Sequence, residues 1–405
     1  MSRFGKVCAV ALVVALASAV APVADAQPPI RIGASLAQTG GFAAPGQTQL
    51  RGYQLCVKHM NDKGGVLGRK LELVVYDDAS DPATAVRLYE KLITQDKVDL
   101  VLGPFHSAIA DPVANVTEKH KMPMVAPVAG ATSIYRKGRK FIFSVLPPAE
   151  ILLEGLIDLA AKKGLKTVAL IRWDDLGERA VTQGTVELAK KKGLQVVLAD
   201  AYPPGTTDFS AILTRVRAAN PDVLGVVTGV VEDAVAITRQ MKALNVDPRM
   251  VGMTPGVSLP RFYEVVGRDA EFVYMAAHWL PELVEVRAGG LIPIAREYPG
   301  ARQFVESSRK ESPGASVSAN AYGACQILVE AVRRAGSLDG AKLRDAISKM
   351  DHNTVFGRFR VDRDGVQIGH RMVMFQWQDG KRVIVWPEEL APDKPRFPTP
   401  PWSQR

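Results

Sequence analysis

The chain has 405 residues, 47% of them apolar and 23% charged, with a formal net charge of +9 at pH 7. That composition excludes a largely disordered chain, and the length suits two domains or one very large one. The basic balance does not point to nucleic acid: Lys and Arg are scattered, runs such as Lys190-Lys191-Lys192 fit solvated helix ends, and zinc-finger spacing and RNA-binding aromatic motifs are absent from the sequence.

The first 26 residues carry Arg3 and Lys6, an apolar and small-residue run over 7–23, and Ala24-Asp25-Ala26, which fits an A-x-A cleavage site. A charged start, a short apolar stretch and a small-residue exit predict a secretory signal peptide, with a membrane anchor as the lesser alternative. The mature protein is expected to begin at Gln27, outside the cytoplasm. Cys8 has no lipoprotein-like context, and no second apolar run is long enough to span a bilayer.

From there strands and helices alternate. A strand over 30–36 leads into a Gly-rich turn over 39–46 and a helix that places Leu50, Tyr53, Val57 and Met60 on one face before stopping at Gly64-Gly65. A second strand covers 71–76, and Ala85, Leu88, Tyr89 and Leu92 then recur with the helical period. Short apolar strands follow at 99–103, 122–126 and 140–145. The same alternation starts again with strands at 167–171, 196–199, 222–228 and 250–253, and with helices from 177, 208 and 231. The fold class is therefore α/β: parallel-type sheets covered by helices on both faces, in two similar lobes that face each other across a cleft. In such sheets ligands sit at the carboxyl ends of the strands, so those loops are the candidate sites.

Metal chemistry is not expected, because the six histidines show no H-E-x-x-H spacing and the cysteines no C-x-x-C pair. Asp362-Arg363-Asp364-Gly365 faintly resembles the start of a calcium loop but lacks the later ligand positions and suits a turn. Cys56 and Cys325 both lie in predicted helices among apolar neighbours. An exported chain could join them, but nothing in the sequence brings them together, and buried free thiols are the expectation.

Several segments together carry a specific resemblance. They are Ile32-Gly33 with Thr39-Gly40, Gly52, Asn61-Asp62-Lys63-Gly64-Gly65, Tyr76-Asp77-Asp78 with Asp81-Pro82, Asp208-Phe209-Ser210, Thr354-Val355-Phe356-Gly357 and Phe375-Gln376-Trp377. In this order and spacing, from about 30 to 377, the chain resembles the leucine/isoleucine/valine-binding proteins, the type I periplasmic binding family. The resemblance implies two α/β lobes joined by a three-crossover hinge, with crossings near 143–146, 275–278 and 353–356. It assigns 27–145 plus 278–353 to lobe 1 and 146–277 plus 354–390 to lobe 2. The tail 391–405, with five prolines, is expected to be extended and poorly packed.

The family also implies a binding site. Ser107, at the end of Gly103-Pro104-Phe105-His106-Ser107, aligns with the serine that bonds a ligand carboxylate. A hydroxyl and free N–H groups at a helix N-terminus form an anion site, although the same geometry serves a simple helix cap. The loop Pro127-Val128-Ala129-Gly130-Ala131-Thr132 resembles the segment that holds the ligand head group, making Ala129, Gly130 and Thr132 candidates. Phe42 would cover the ligand, or serve as an ordinary core residue, and His106 would add a donor to a carboxylate. From lobe 2 come Trp173 and Asp174, then Val230 where the family has an aromatic residue, and Thr254 where it has the acid that pairs with a ligand ammonium. The disulfide of the family is absent, Ser80 and His106 standing at its positions.

An unpaired buried ammonium costs several kcal/mol, so the missing acid favours a carboxylate ligand with an apolar or aromatic body and no essential ammonium. Asp174, Asp175, Glu232 or Asp233 would be the substitutes if the ligand is an amino acid. The expected function is the extracytoplasmic solute-binding component of an ABC importer, monomeric, without cofactor, partnered by inner-membrane permease subunits in a Gram-negative periplasm. A branched-chain amino-acid binder is the alternative, and a sensing domain of a membrane receptor is the alternative from another class. A secreted hydrolase is disfavoured by the lack of a G-x-S-x-G elbow.

Overall fold

The computed structural model describes residues 27–284, 298–308, 316–391 and 393–405, and the expected signal peptide lies outside them. The first sheet is built from β1 (Ile30–Leu36), β2 (Leu71–Asp77), β3 (Leu100–Leu102), β4 (Met124–Ala126) and β5 (Ile142–Ser144). It is parallel throughout, in the order β2-β1-β3-β4-β5. β3, β4 and β5 are buried along their whole length, which is why they read as continuous apolar runs instead of alternating ones. Helices α1 (Ala43–Asp62), α2 (Pro82–Thr94) and α3 (Ser107–Lys119) make the crossovers. α2 starts where Asp81 accepts a hydrogen bond from the Thr84 N–H, with Pro82 in the first turn where no N–H is needed.

The chain then enters the second lobe through α4 (Glu154–Lys162). This lobe contains β6 (Thr167–Trp173), α5 (Leu176–Lys191), β7 (Gln195–Tyr202), α6 (Ser210–Ala219), β8 (Val223–Val227), α7 (Val231–Ala243), β9 (Met250–Met253), α8 (Pro260–Val266) and β10 (Tyr274–Ala277). The chain returns to the first sheet, where α10 (Ser316–Ala335), preceded by α9 (Ala301–Ser308), packs along α1. α11 (Gly340–Ser348) and the short pair β11 (His352–Asn353) and β12 (Arg358–Phe359) follow. Finally β13 (Val373–Gln378) and β14 (Lys381–Trp386) join the second sheet, whose order is β14-β13-β10-β9-β8-β6-β7.

Three features differ from the sequence expectation. β13 and β14 pair antiparallel at the edge of an otherwise parallel sheet. Cys56 and Cys325 are not free thiols but form a disulfide between α1 and α10. The helices meet closely enough to allow it because Gly52 faces the Ser318 carbonyl, where a Cβ would lie 2.3 Å from the oxygen. The tail is extended but well packed: Trp402 is buried and its indole N–H donates to the Val246 carbonyl at 2.9 Å, while Thr399 N–H donates to the Arg249 carbonyl.

The passages between the lobes are stitched to one another. Ser144 N–H donates to the Gly365 carbonyl at 2.8 Å, Gln367 Nε2 to the Val145 carbonyl at 3.3 Å, and His370 Nε2 to the His278 carbonyl at 2.7 Å. This hinge brings the carboxyl ends of both sheets to face one cleft.

Candidate functional site

The cleft encloses a cavity of about 510 Å³, large enough for a small organic molecule. Its floor is the hinge, with Leu146, Ala149, Leu152 and His278. The first lobe contributes the start of α1, the β3–α3 loop and the β4 loop. The second contributes the start of α5, the β8–α7 loop and the loop after β9. Apart from the start of α10, which adds Ser316, Val317 and Asn320, each contribution follows the carboxyl end of a strand, the expected place in a doubly wound sheet.

The first-lobe wall is organised around α3. The pairing of β3 with β4 continues past the strands as a parallel bridge between Phe105 and Val128, which lays the two loops side by side. Ser107, buried at the first turn of α3, accepts a long hydrogen bond of 3.4 Å from the Ala131 N–H. The first N–H groups of a helix lack partners within it, so this terminus presents partial positive charge and donors to the cavity. Gly130 lines the cavity beside it.

Among the expected site residues, Ser107, His106, Gly130, Val230 and Thr254 line the cavity. Thr254, however, is already engaged: its hydroxyl accepts from the Thr228 N–H at 2.8 Å and donates to the Thr228 carbonyl at 3.0 Å. Among the described residues, the buried hydroxyl of Thr228, which lines the cavity, has no hydrogen-bond partner. Ala129 is buried behind the wall, its carbonyl accepting from the Tyr135 hydroxyl. Thr132 is turned toward the hinge, where its N–H and hydroxyl both bond Glu150 Oε1, at 3.1 and 2.6 Å. Asp174 points to solvent between Arg172 (2.6 Å) and Arg179 (3.0 Å), which hold its carboxyl below the usual carboxylate range.

Phe42 and Trp173 form the layer behind the cavity wall. The Phe42 ring stacks on His106 with centroids 4.7 Å apart and meets the edge of Trp173 at 5.6 Å. Trp173 in turn fills the space beneath Gly229, where a Cβ would fall 1.9 Å from the indole ring. Any larger residue at 229 would displace the β8–α7 loop or the indole, so this glycine sets the shape of the second-lobe wall.

The most distinctive group in the cavity is one that sequence reasoning does not single out, Glu178 on the first turn of α5. Its carboxylate is buried and Oε2 has no hydrogen-bond partner among the described residues. Oε2 lies 3.5 Å from His106 Nε2, and Asp175 Oδ1 lies 3.3 Å from His106 Nδ1. At these distances and alignments the contacts are charge pairings and not hydrogen bonds. Burial pulls the His106 pKa down, but Glu178 and then Asp175 more than offset it, and the net shift is upward. These three residues are also the one His/Asp/Glu cluster of metal-binding size among the described residues. Each ring nitrogen faces a different carboxylate, an arrangement that suits a protonated imidazole better than one nitrogen and two carboxylates on a common ion.

His278, on the cavity floor, is the opposite case. Burial and the neighbouring His370 push its pKa down to about 3, and burial brings His370 to about 4. Both are neutral at neutral pH. The remaining lining is dominated by apolar groups, including Leu146, Leu152, Val181, Val227 and Leu259.

Comparison with known proteins agrees with this architecture. Residues 29–382 match the family model described as periplasmic binding protein. The Leu/Ile/Val-binding protein homolog 7 of Brucella melitensis is 28% identical over 405 residues, covering 96% of this chain and 98% of its own. The branched-chain amino acid transporter substrate-binding protein LivJ of Streptococcus pneumoniae, solved with isoleucine, superposes with a TM-score of 0.73. It is 22% identical and covers 87% of this chain and 97% of its own. An ABC transporter solute-binding protein of R. palustris, solved with benzoate, has a TM-score of 0.74 at 20% identity, covering 88% and 95%. At such identities the two structures attest the fold. No helix among the described residues is long and apolar enough to cross a membrane.

Proposed function

Since the chain belongs to the periplasmic binding protein family, whose members are solute-binding proteins and not enzymes, we propose that it is the extracytoplasmic receptor of an ABC importer and binds a small carboxylate with an apolar, preferably aromatic, body. The observation that carries this reading is the opening of the α3 N-terminus and Ser107 into a cavity whose other walls are mainly apolar. A carboxylate seats on the helix terminus and the body fills the space between Leu146, Leu152, Val181 and Leu259. Closure of the lobes about the stitched hinge would bury the ligand and create the surface that docks on the permease. In a Gram-negative source the compartment is the periplasm, and the working unit is a monomer of two lobes, 27–145 plus 278–353 and 146–277 plus 354–390.

A second reading has its own support: the buried Glu178 carboxylate would partner a ligand ammonium, which favours a hydrophobic amino acid. Relatives of this fold include binders of both kinds, one solved with isoleucine and one with benzoate. A thermal-shift screen against benzoate, hydroxybenzoates, leucine and isoleucine separates them. A ligand at ~100 times its dissociation constant stabilises the fold by about 2.7 kcal/mol. Stabilisation by the aromatic acids alone supports the first reading. Stabilisation by leucine or isoleucine alone supports the second reading and overturns the first.

A further inference from the structure

We propose that His106 is a positioning residue for ligand capture, a protonated clamp that holds the two lobes together across the cleft by pairing with Asp175 and Glu178. The inference rests on the reading of the cleft as the ligand site and goes beyond it by assigning His106 to closure instead of to the ligand.

His106 belongs to the β3–α3 loop of the first lobe, whereas both carboxylates belong to the start of α5 in the second. One faces each side of the ring, Asp175 at Nδ1 and Glu178 at Nε2. A neutral imidazole has one N–H and one lone pair, so one carboxylate would always meet a lone pair. Only the imidazolium meets both carboxylates with positive charge and no lone pair. Aromatic neighbours hold the ring between the two carboxylates, since it stacks on Phe42 and lies against Phe105 and Trp173. Its backbone has φ +76°, a conformation that a non-glycine residue adopts only when its surroundings impose it.

Other charged groups nearby are already engaged. Asp174 is turned to Arg172 and Arg179, Glu232 pairs with Arg261 on the cavity rim, and Asp233 accepts from the Tyr202 hydroxyl. The start of α1, which faces the ring from the first lobe, contributes Gly41, Ala44 and Pro45, none of them titratable. The clamp is thus one cation between two anions, and it exists only while the lobes are closed. When they part, Asp175 and Glu178 leave with the second lobe and His106 returns to water. Closure is therefore coupled to proton uptake. Because the closed form raises the His106 pKa above its ordinary value of 6.5, the stabilisation is complete below that value and is lost as pH rises through the raised one.

Titration calorimetry with benzoate and with leucine, at about pH 6 and about pH 8.5 and in buffers of different ionisation enthalpy, tests the clamp. The expected result is affinity several-fold weaker at the higher pH, with proton uptake on binding, and loss of both effects in His106→Gln and in the double variant Asp175→Asn/Glu178→Gln. Equal affinity at both pH values, or an unchanged pH dependence in His106→Gln, overturns the proposal. If neither compound binds, the ligand reading fails separately, and an NMR titration of the His106 ring in protein held closed by an engineered disulfide between the lobes decides the clamp. A pKa above the ordinary value that falls in Asp175→Asn/Glu178→Gln supports it, and a pKa unmoved by that substitution overturns it.

Discussion

Two histidine sites border the same cavity and behave oppositely. At the cleft, burial of His106 is outweighed by two carboxylates from the facing lobe, and the charged ring is favoured. At the hinge, His278 and His370 are equally buried but face each other, a carbonyl and the Phe356 ring, so the neutral forms prevail. The difference teaches that burial alone does not set the state of a histidine; the partner does. It also separates two roles: the hinge pair belongs to the permanent fold, whereas the cleft clamp belongs to a contact that forms on closure.

The largest expected effect concerns the hinge. With pKa values pushed down to about 3 and about 4, His278 and His370 resist protonation in the fold, while the unfolded chain takes up those protons near 6.5. Stability should therefore fall as pH drops from 6.5 toward 4, by an amount on the order of several kcal/mol. Urea unfolding at neutral pH and at pH ~4 measures the loss. His370→Phe, which keeps an aromatic ring against Phe356, should reduce it, and an undiminished acid loss in that variant would assign the effect to carboxylates.

Next in size is the disulfide, which lies away from the cleft. Replacing Cys56 and Cys325 together by alanine should cost about 2–4 kcal/mol of stability while leaving ligand affinity unchanged. A drop in affinity would mean that the α1–α10 contact also shapes the binding wall. Ser107→Ala comes third: it should weaken carboxylate binding by about 1–3 kcal/mol, as for a lost hydrogen bond to a charged group, with little effect on unfolding. The smallest effect on stability is expected for His106→Gln, less than about 1 kcal/mol by urea unfolding of the ligand-free protein. A large loss there would place the clamp in the permanent fold and erase the contrast with the hinge.

Much of this was legible in the sequence for physical reasons. Buried parallel strands such as those at 100–102 and 124–126 declare themselves as apolar runs, and amphipathic helices by period. The family resemblance pointed to Ser107, Gly130 and Val230, and all three line the cavity. What escaped depends on contacts distant in sequence. Cys56 and Cys325 are 269 residues apart, and only the packing of α1 on α10 joins them. Asp175 and Glu178, three residues apart at a helix start, look like an ordinary capping pattern, which hid their role opposite His106. Thr254 stood in the right loop, but its hydroxyl is tied to the Thr228 backbone, whereas the buried Thr228 hydroxyl has no partner among the described residues. The proline-rich tail gave no sign that Trp402 would find a buried seat beside Val246.

The most direct test of the central claim is a calorimetric titration of benzoate into the protein and into Ser107→Ala at neutral pH. A carboxylate seated on the α3 N-terminus predicts one saturable site in the protein, with affinity reduced about tenfold or more by the substitution. Saturable binding that Ser107→Ala leaves untouched would contradict it, because the carboxylate would then sit somewhere other than that helix terminus.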